Sequence, residues 1–128
     1  YLKEKAKALA IEHKIIWMGL QNDVPTLLNA FDVYVQPSRN EGLGLSILEA
    51  YYAKLPVVAT RVGGIPEIVD ETKGFLVDNE DPKAMAKKLK ELVDSKVLRA
   101  QKGEEAYHFV NSNYNVSTQV RKLITYYK

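Results

Sequence analysis

This sequence predicts an α/β fold, a parallel sheet of about four strands with helices on both faces. Short apolar runs at residues 15–18, 33–35, 57–59 and 74–77 alternate with stretches of helical period, the order that builds a parallel sheet. The first three runs lead into glycine-bearing loops, at Gly19, at Gly42 and Gly44, and at Gly63 and Gly64. The chain has 128 residues, 46% of them hydrophobic, enough for one core that takes roughly two-thirds of the unfolded surface out of water.

The elements follow in order. Residues 2–13 are rich in Ala, Lys and Glu, good helix formers, with Leu2, Ala6, Leu9 and Ala10 on one face. The run at 15–18, ended by Gly19, has the continuous apolar character of a buried parallel strand. Asn22 or Asp23 can cap a helix whose Val24, Leu27, Leu28 and Phe31 recur at i, i+3, i+4 and i+7. A second strand at 33–35 leads through Glu41-Gly42-Leu43-Gly44 into a helix ending at about Lys54. A third strand at 57–59, the Gly63-Gly64 loop, a short helix with Pro66 in its first turn and a fourth strand at 74–77 come next. Asp81 as N-cap and Pro82 at the first helical position then start a helix with Met85, Leu89, Leu92 and Val93 inward. Within 96–128 two C-terminal helices are expected, at about 98–110 and 117–127. The chain reads as one domain, 1–128.

Composition excludes several classes of function. Lys and Arg number 18 against 16 Asp and Glu, a net charge of +2, which gives little support to a nucleic-acid footprint. There is no cysteine, which excludes thiolate and disulfide chemistry. No apolar run approaches the ~20 residues of a membrane-spanning helix, and the opening residues are not expected to form a signal peptide. The first residue is Tyr1 rather than Met, so the chain is expected to be a piece of a longer or processed polypeptide that lacks its first strand-helix units. His13 and His108 have no Cys or clustered carboxylates beside them, so no metal site is expected.

In parallel sheets ligands sit beyond the C-terminal strand ends. The loops there are 19–22, 36–43, 60–65 and 78–81. In the second of them, and in the helix that follows, stand Glu41 and Glu49 with seven residues between. Along a helix that spacing spans about 12 Å, too far for the roughly 5 Å of a carboxylate pair working on one glycosidic bond. It suits two ends of one elongated ligand better. Between them, Gly42-Leu43-Gly44 offers open backbone N–H groups at a helix start, whose partial positive charge favours a phosphate.

Six segments in this order resemble the C-terminal, nucleotide-sugar-binding half of glycosyltransferase family 4: Pro37-Ser38, Glu41-Gly42-Leu43-Gly44-Leu45, Glu49-Ala50, Pro56-Val57-Val58-Ala59-Thr60, Gly63-Gly64-Ile65-Pro66-Glu67 and Gly74-Phe75-Leu76-Val77. The resemblance implies a Rossmann-like domain, the partial second half of a GT-B fold, in an enzyme that transfers a sugar with retention and without a metal. The donor is then a UDP- or GDP-sugar, no cofactor is needed, and a glycan or lipid-linked acceptor binds through an N-terminal domain not in this chain. By the same resemblance Glu41 is catalytic, near the donor sugar and its anomeric charge, and Glu49 accepts hydrogen bonds from the ribose hydroxyls. Gly42, Leu43, Gly44 and Leu45 meet the diphosphate through their backbone, the two leucine side chains packing inward. Gly19, Leu20, Gly63, Gly64 and Arg39 complete the expected donor-binding set. Gly63-Gly64 is either a tight turn or a place of backbone approach to donor or acceptor. The family's own diphosphate-binding Arg and Lys lie upstream of Tyr1, and Arg39 and Arg61 can assist from their loops.

Placement is expected to be cytoplasmic, or peripheral at the inner face of a membrane through the missing half, and the setting to be polysaccharide assembly. Two departures stand out. Lys54 occupies a position where the family usually closes the helix with a glycine; if that position is left-handed, a lysine costs on the order of 1 kcal/mol there, and Tyr51-Tyr52 replaces smaller or more flexible residues. Two alternatives are carried: another GT-B enzyme, such as a UDP-sugar epimerase or a sucrose- or starch-synthase relative, and a non-catalytic nucleotide-sugar-binding module. The family's strand order leaves the run at 15–18 without its usual neighbours. It is expected to move beside residues 33–35, or to pair with another chain in a strand-swapped or edge-paired oligomer.

Overall fold

Three parallel strands form the sheet in the computed structural model, which describes residues 1–115. They lie in the order β1 (Tyr34–Gln36), β2 (Val57–Thr60), β3 (Gly74–Val77), with Tyr34 opposite Val57 and Val57 opposite Gly74. All four residues of β2 are buried, because the central strand has packing on both faces. Successive side chains on a strand point to opposite faces, and this alternation divides the core into two layers. Val57 and Ala59 join the cluster that contains residues of α3 (Leu45–Tyr52), α4 (Ile65–Ile68) and α6 (Lys96–Asn113). Val58 lies with Phe75, Val77 and Leu92 of α5 (Pro82–Asp94) on the other side. Helices therefore cover both faces, as the alternating pattern predicts.

Side-chain caps fix several helix starts. Asp23 accepts from the Thr26 N–H at 3.1 Å ahead of α2 (Val24–Leu28), and Asp81 accepts from the Ala84 N–H at 2.9 Å ahead of α5. Ser95 accepts from the Leu98 N–H at 3.2 Å and starts α6 two residues before its expected position. Each such cap contributes about 1 kcal/mol by satisfying an N–H that no helical carbonyl can reach.

The expected strand at 15–18 does not form. Ile16 is 85% exposed, Trp17 and Met18 are also exposed, and the segment forms no strand ladder with β1 or with any other described segment. A strand is held by its ladder; the outer edge of β1 is open in this sheet order, but the run forms no ladder with it. The sheet has three strands where about four were expected. Of the two expected outcomes for this run, pairing with another chain is the one left to a measurement of oligomeric state.

Helix α1 (Leu2–Ala8) stops well short of residue 13. Ala10 takes φ 53°, the Ile11 N–H bonds the Ala6 carbonyl at 3.0 Å, and a 3₁₀ turn at Glu12–Lys14 follows. Of its expected inward face only Ala6 is buried; Leu2 and Leu9 are exposed. α2 ends at Leu28, leaving Phe31 outside it and exposed, and Val93 faces solvent although Met85, Leu89 and Leu92 pack as expected. The helix expected at 117–127 lies outside the described residues.

Lys54 is left-handed, at φ 57°. The Leu55 N–H reaches back to the Ala50 carbonyl and the Lys54 N–H to that of Tyr51, both at 3.0 Å, the paired bonds of a Schellman stop. The lysine Nζ meets the Glu104 carboxylate at 2.9 Å and stands 4.8 Å from the centre of the Tyr107 ring, so α6 supports the strained residue.

Candidate functional site

All three strands run the same way, so Gln36, Thr60 and Val77 close them on one side, where residues 37–44, 61–64 and 78–81 gather. Glu41 is half-buried in the first of these loops. Its Oε2 accepts from the Gln36 Nε2 at 3.0 Å and from the Ser38 hydroxyl at 3.3 Å; its Oε1 accepts from the Gly42 N–H at 3.2 Å. The Gln36 Oε1 accepts in turn from the Tyr34 and Ser46 hydroxyls, at 2.9 and 3.3 Å, and its Nε2 also donates to the Ser38 Oγ at 2.9 Å. Thr60 ties β2 to this loop through a hydrogen bond to the Ser38 carbonyl at 2.5 Å.

The glycines fall into two kinds. Gly44 precedes α3 at φ 74°, and a Cβ there would sit 3.2 Å from the Ile47 Cδ1, so the fold requires a glycine. Gly63, at φ 53°, lies so close to the Glu41 carbonyl that a Cβ would stand 1.7 Å from its oxygen; one on Gly64 would stand 2.5 Å from the Gly42 oxygen. The Gly64 N–H donates to that Gly42 oxygen at 2.8 Å. The double glycine therefore approaches the Glu41-Gly42 backbone, a neighbour that neither sequence-level reading named. Gly42 differs from all of these: its φ is not left-handed and a Cβ on it would meet no protein atom within 4 Å.

Glu49 is exposed on α3 and, with Pro25, Asn29, Tyr52 and Ala53, lines a hollow of about 250 Å³ against α2. Its carboxylate has no protein partner among the described residues, and it stands in the last turn, where the helix dipole disfavours an acid. Glu41 does not line this hollow, so the structure does not bring the two glutamates into one cavity. The Leu43 and Leu45 side chains correct an expectation: they do not pack inward, and Leu45 is 67% exposed. Leu20 is 96% exposed beside a left-handed Gly19, beyond the segment that did not become a strand.

Arg39 and Arg61 both face acids on the loop after β3, Glu80 at 3.5 Å and Asp78 at 3.7 Å, in exposed pairs that add little stability. With Pro37, Thr60 and residues 78–82, Arg39 lines a hollow of about 430 Å³ at the strand ends. Gln36, Ser46 and Thr60 were not singled out from sequence. The signal for Gln36 was available: it is a polar residue closing an otherwise apolar strand, two positions from Tyr34 and so on the same face.

Residues 1–109 match the family model of glycosyl transferases group 1. The chain belongs to that family. This group 1 chain is 35% identical over 127 residues to a D-inositol 3-phosphate glycosyltransferase of Corynebacterium diphtheriae, an alignment covering 97% of the chain and 30% of the relative. It spans about a third of the length of the curated relatives it matches. Among solved structures it is similar to the C-terminal domain of a group 1 family protein, LpcC, from Francisella tularensis, with TM-score 0.79, 33% identity, and coverage of 90% of this chain and 61% of the other. It is also similar to Anabaena Alr3699/HepE in complex with UDP, with TM-score 0.90, 25% identity, and coverage of 97% and 35%. The architecture is thus that of the C-terminal half of a GT-B glycosyltransferase.

Proposed function

We propose that this group 1 chain is the donor-binding half of a retaining, metal-independent glycosyltransferase, which moves a sugar from a UDP- or GDP-sugar to the hydroxyl of a glycan or lipid-linked acceptor. The observation that carries this reading is Gly42. Neither its backbone angle nor a neighbouring atom calls for a glycine, yet it lies between the oriented carboxylate of Glu41 and the start of α3, whose leading N–H groups, ahead of the Ile47 N–H that turns back to the Gly44 carbonyl, no helical carbonyl can reach. Room kept free of a side chain at such a place suits a diphosphate approaching the backbone. The similarity to Alr3699/HepE, solved with UDP and with UDP-glucose, supports the same class of ligand. Glu49, with no protein partner among the described residues and at the unfavourable end of its helix, suits a carboxylate that accepts from ribose hydroxyls. Glu41 would then face the sugar. The setting is polysaccharide or glycolipid assembly at the inner face of a membrane.

Calorimetric titration of the intact transferase with UDP and GDP tests the donor class. Gly42→Ala should keep or raise the melting temperature, since alanine restricts the unfolded chain by about 0.4–1 kcal/mol where the backbone is compatible. Its nucleotide affinity should fall by about 1.4 kcal/mol or more, roughly tenfold. Unchanged affinity would remove the diphosphate from this loop.

Glu49→Ala should weaken UDP and the full sugar donor alike, by about 1.5–3 kcal/mol, because the lost acceptor is charged and both ligands carry the ribose. A loss confined to the sugar-bearing donor would contradict the ribose assignment.

A further inference from the structure

We propose that Gln36 is a positioning residue for Glu41, holding its carboxylate in one orientation before the donor arrives. This rests on the reading that Glu41 faces the sugar. The hydrogen bonds run in a single direction. The Tyr34 and Ser46 hydroxyls donate to the Gln36 Oε1, the Gln36 Nε2 donates to Ser38 and to Glu41, and the Ser38 hydroxyl donates to Glu41. An ionised carboxylate accepts only, so the amide edge turned toward it must be the NH₂, and the two hydroxyls fit the opposite edge. Donors aligned head to tail polarise one another toward their end point, here the Glu41 Oε2.

Oε2 is thereby fastened to β1 and its following loop. Among the described residues Oε1 meets only the N–H of Gly42, at 3.2 Å, and it is the oxygen left for a ligand. Gln36 and Tyr34 sit on a strand of the sheet, and Ser46 lies in the first turn of α3. The carboxylate is therefore referenced to rigid elements even though it stands on a loop, the arrangement that preorganises a charged group for a transition state. A group placed in this way acts on turnover more than on donor binding.

The test is a double-mutant cycle in the intact transferase. Gln36→Met keeps length and removes the amide; it should lower kcat by about 10-fold or more, with the KM for the nucleotide sugar and the affinity for free nucleoside diphosphate within about twofold. In a Glu41→Gln background the same substitution should cost little further, because the group it positions is already gone. Ser46→Ala, which removes one donor to the Gln36 Oε1 and leaves the amide in place, should show a smaller loss in kcat alone. That variant answers the question if Gln36→Met does not fold. Unaltered kcat in these variants, or an equal fall with and without the Glu41 carboxylate, overturns the positioning role. Normal turnover of Glu41→Gln by itself overturns the reading beneath it as well, so the two failures are distinguishable.

Discussion

Glu41→Gln will lower sugar transfer by roughly 10²-fold or more, about 2.7 kcal/mol of barrier, while the free nucleoside diphosphate binds as before. The glutamine has the shape of the glutamate and can turn its carbonyl to the Gln36 Nε2 and Ser38 hydroxyl, so the loop keeps those two anchors and gives up the bond from the Gly42 N–H, which would meet the new NH₂. What disappears is the negative charge. If that charge faces a developing positive anomeric carbon, its contribution is larger in the transition state than in the bound ground state and is read in kcat. An acid that serves only the dipole of α3 predicts a different pattern, a stability loss of about 0.3–1 kcal/mol with nearly normal turnover. Thermal stability, nucleotide affinity and kcat measured on this variant separate the two.

Gly63→Ala should be the most damaging single methyl in the molecule. The left-handed backbone alone costs an alanine about 1–2 kcal/mol. The added carbon would also stand 1.7 Å from the Glu41 oxygen, a backbone atom that no rotamer change can move aside. The Glu41-Gly42 segment must shift, at a further cost of about 1–3 kcal/mol typical of overpacking. Gly19→Ala is the control, since Gly19 has a similar φ of 62° with open space around it and should show the torsional cost alone. Chemical denaturation of the two variants gives the difference, and kcat of Gly63→Ala should fall with the displaced carboxylate. Equal stabilities for the two would show that the Glu41 loop yields without penalty.

The elements that could be read directly were those whose signals are local. β2 and β3 declare themselves as apolar runs with buried neighbours on both sides, and the Asp81-Pro82 start of α5 pairs a cap with a ring that needs no N–H. At Lys54 it was the resemblance, a family position usually held by a helix-closing glycine, that raised the left-handed conformation the backbone shows. Residues 15–18 were not legible, because an apolar run says nothing about whether a partner strand is there to receive it. At the site, the glycine motif located the loop, but not which glycine serves what. Gly42 and Gly63 look alike in sequence, yet one borders open space and the other a carbonyl. The Gln36 chain was hidden for the same reason, since it joins residues up to ten positions apart through side chains whose meeting depends on how α3 leaves the loop.

At the junction of Lys54 and Gly103, glycine appears on the opposite side of the contact from where a helix end would use it. A Cβ on Gly103 would lie 2.0 Å from the Lys54 carbonyl oxygen, so α6 passes the end of α3 with backbone against backbone. Two demands meet there, one torsional and soft, the other steric and nearly rigid. The chain assigns its side-chain-free residue to the rigid demand and lets a lysine carry the soft one, braced by Glu104 one position along the same helix. Tolerance to substitution at these two neighbours is therefore unequal: many side chains can occupy position 54 for a modest twist of the backbone, whereas position 103 admits none without prying two helices apart.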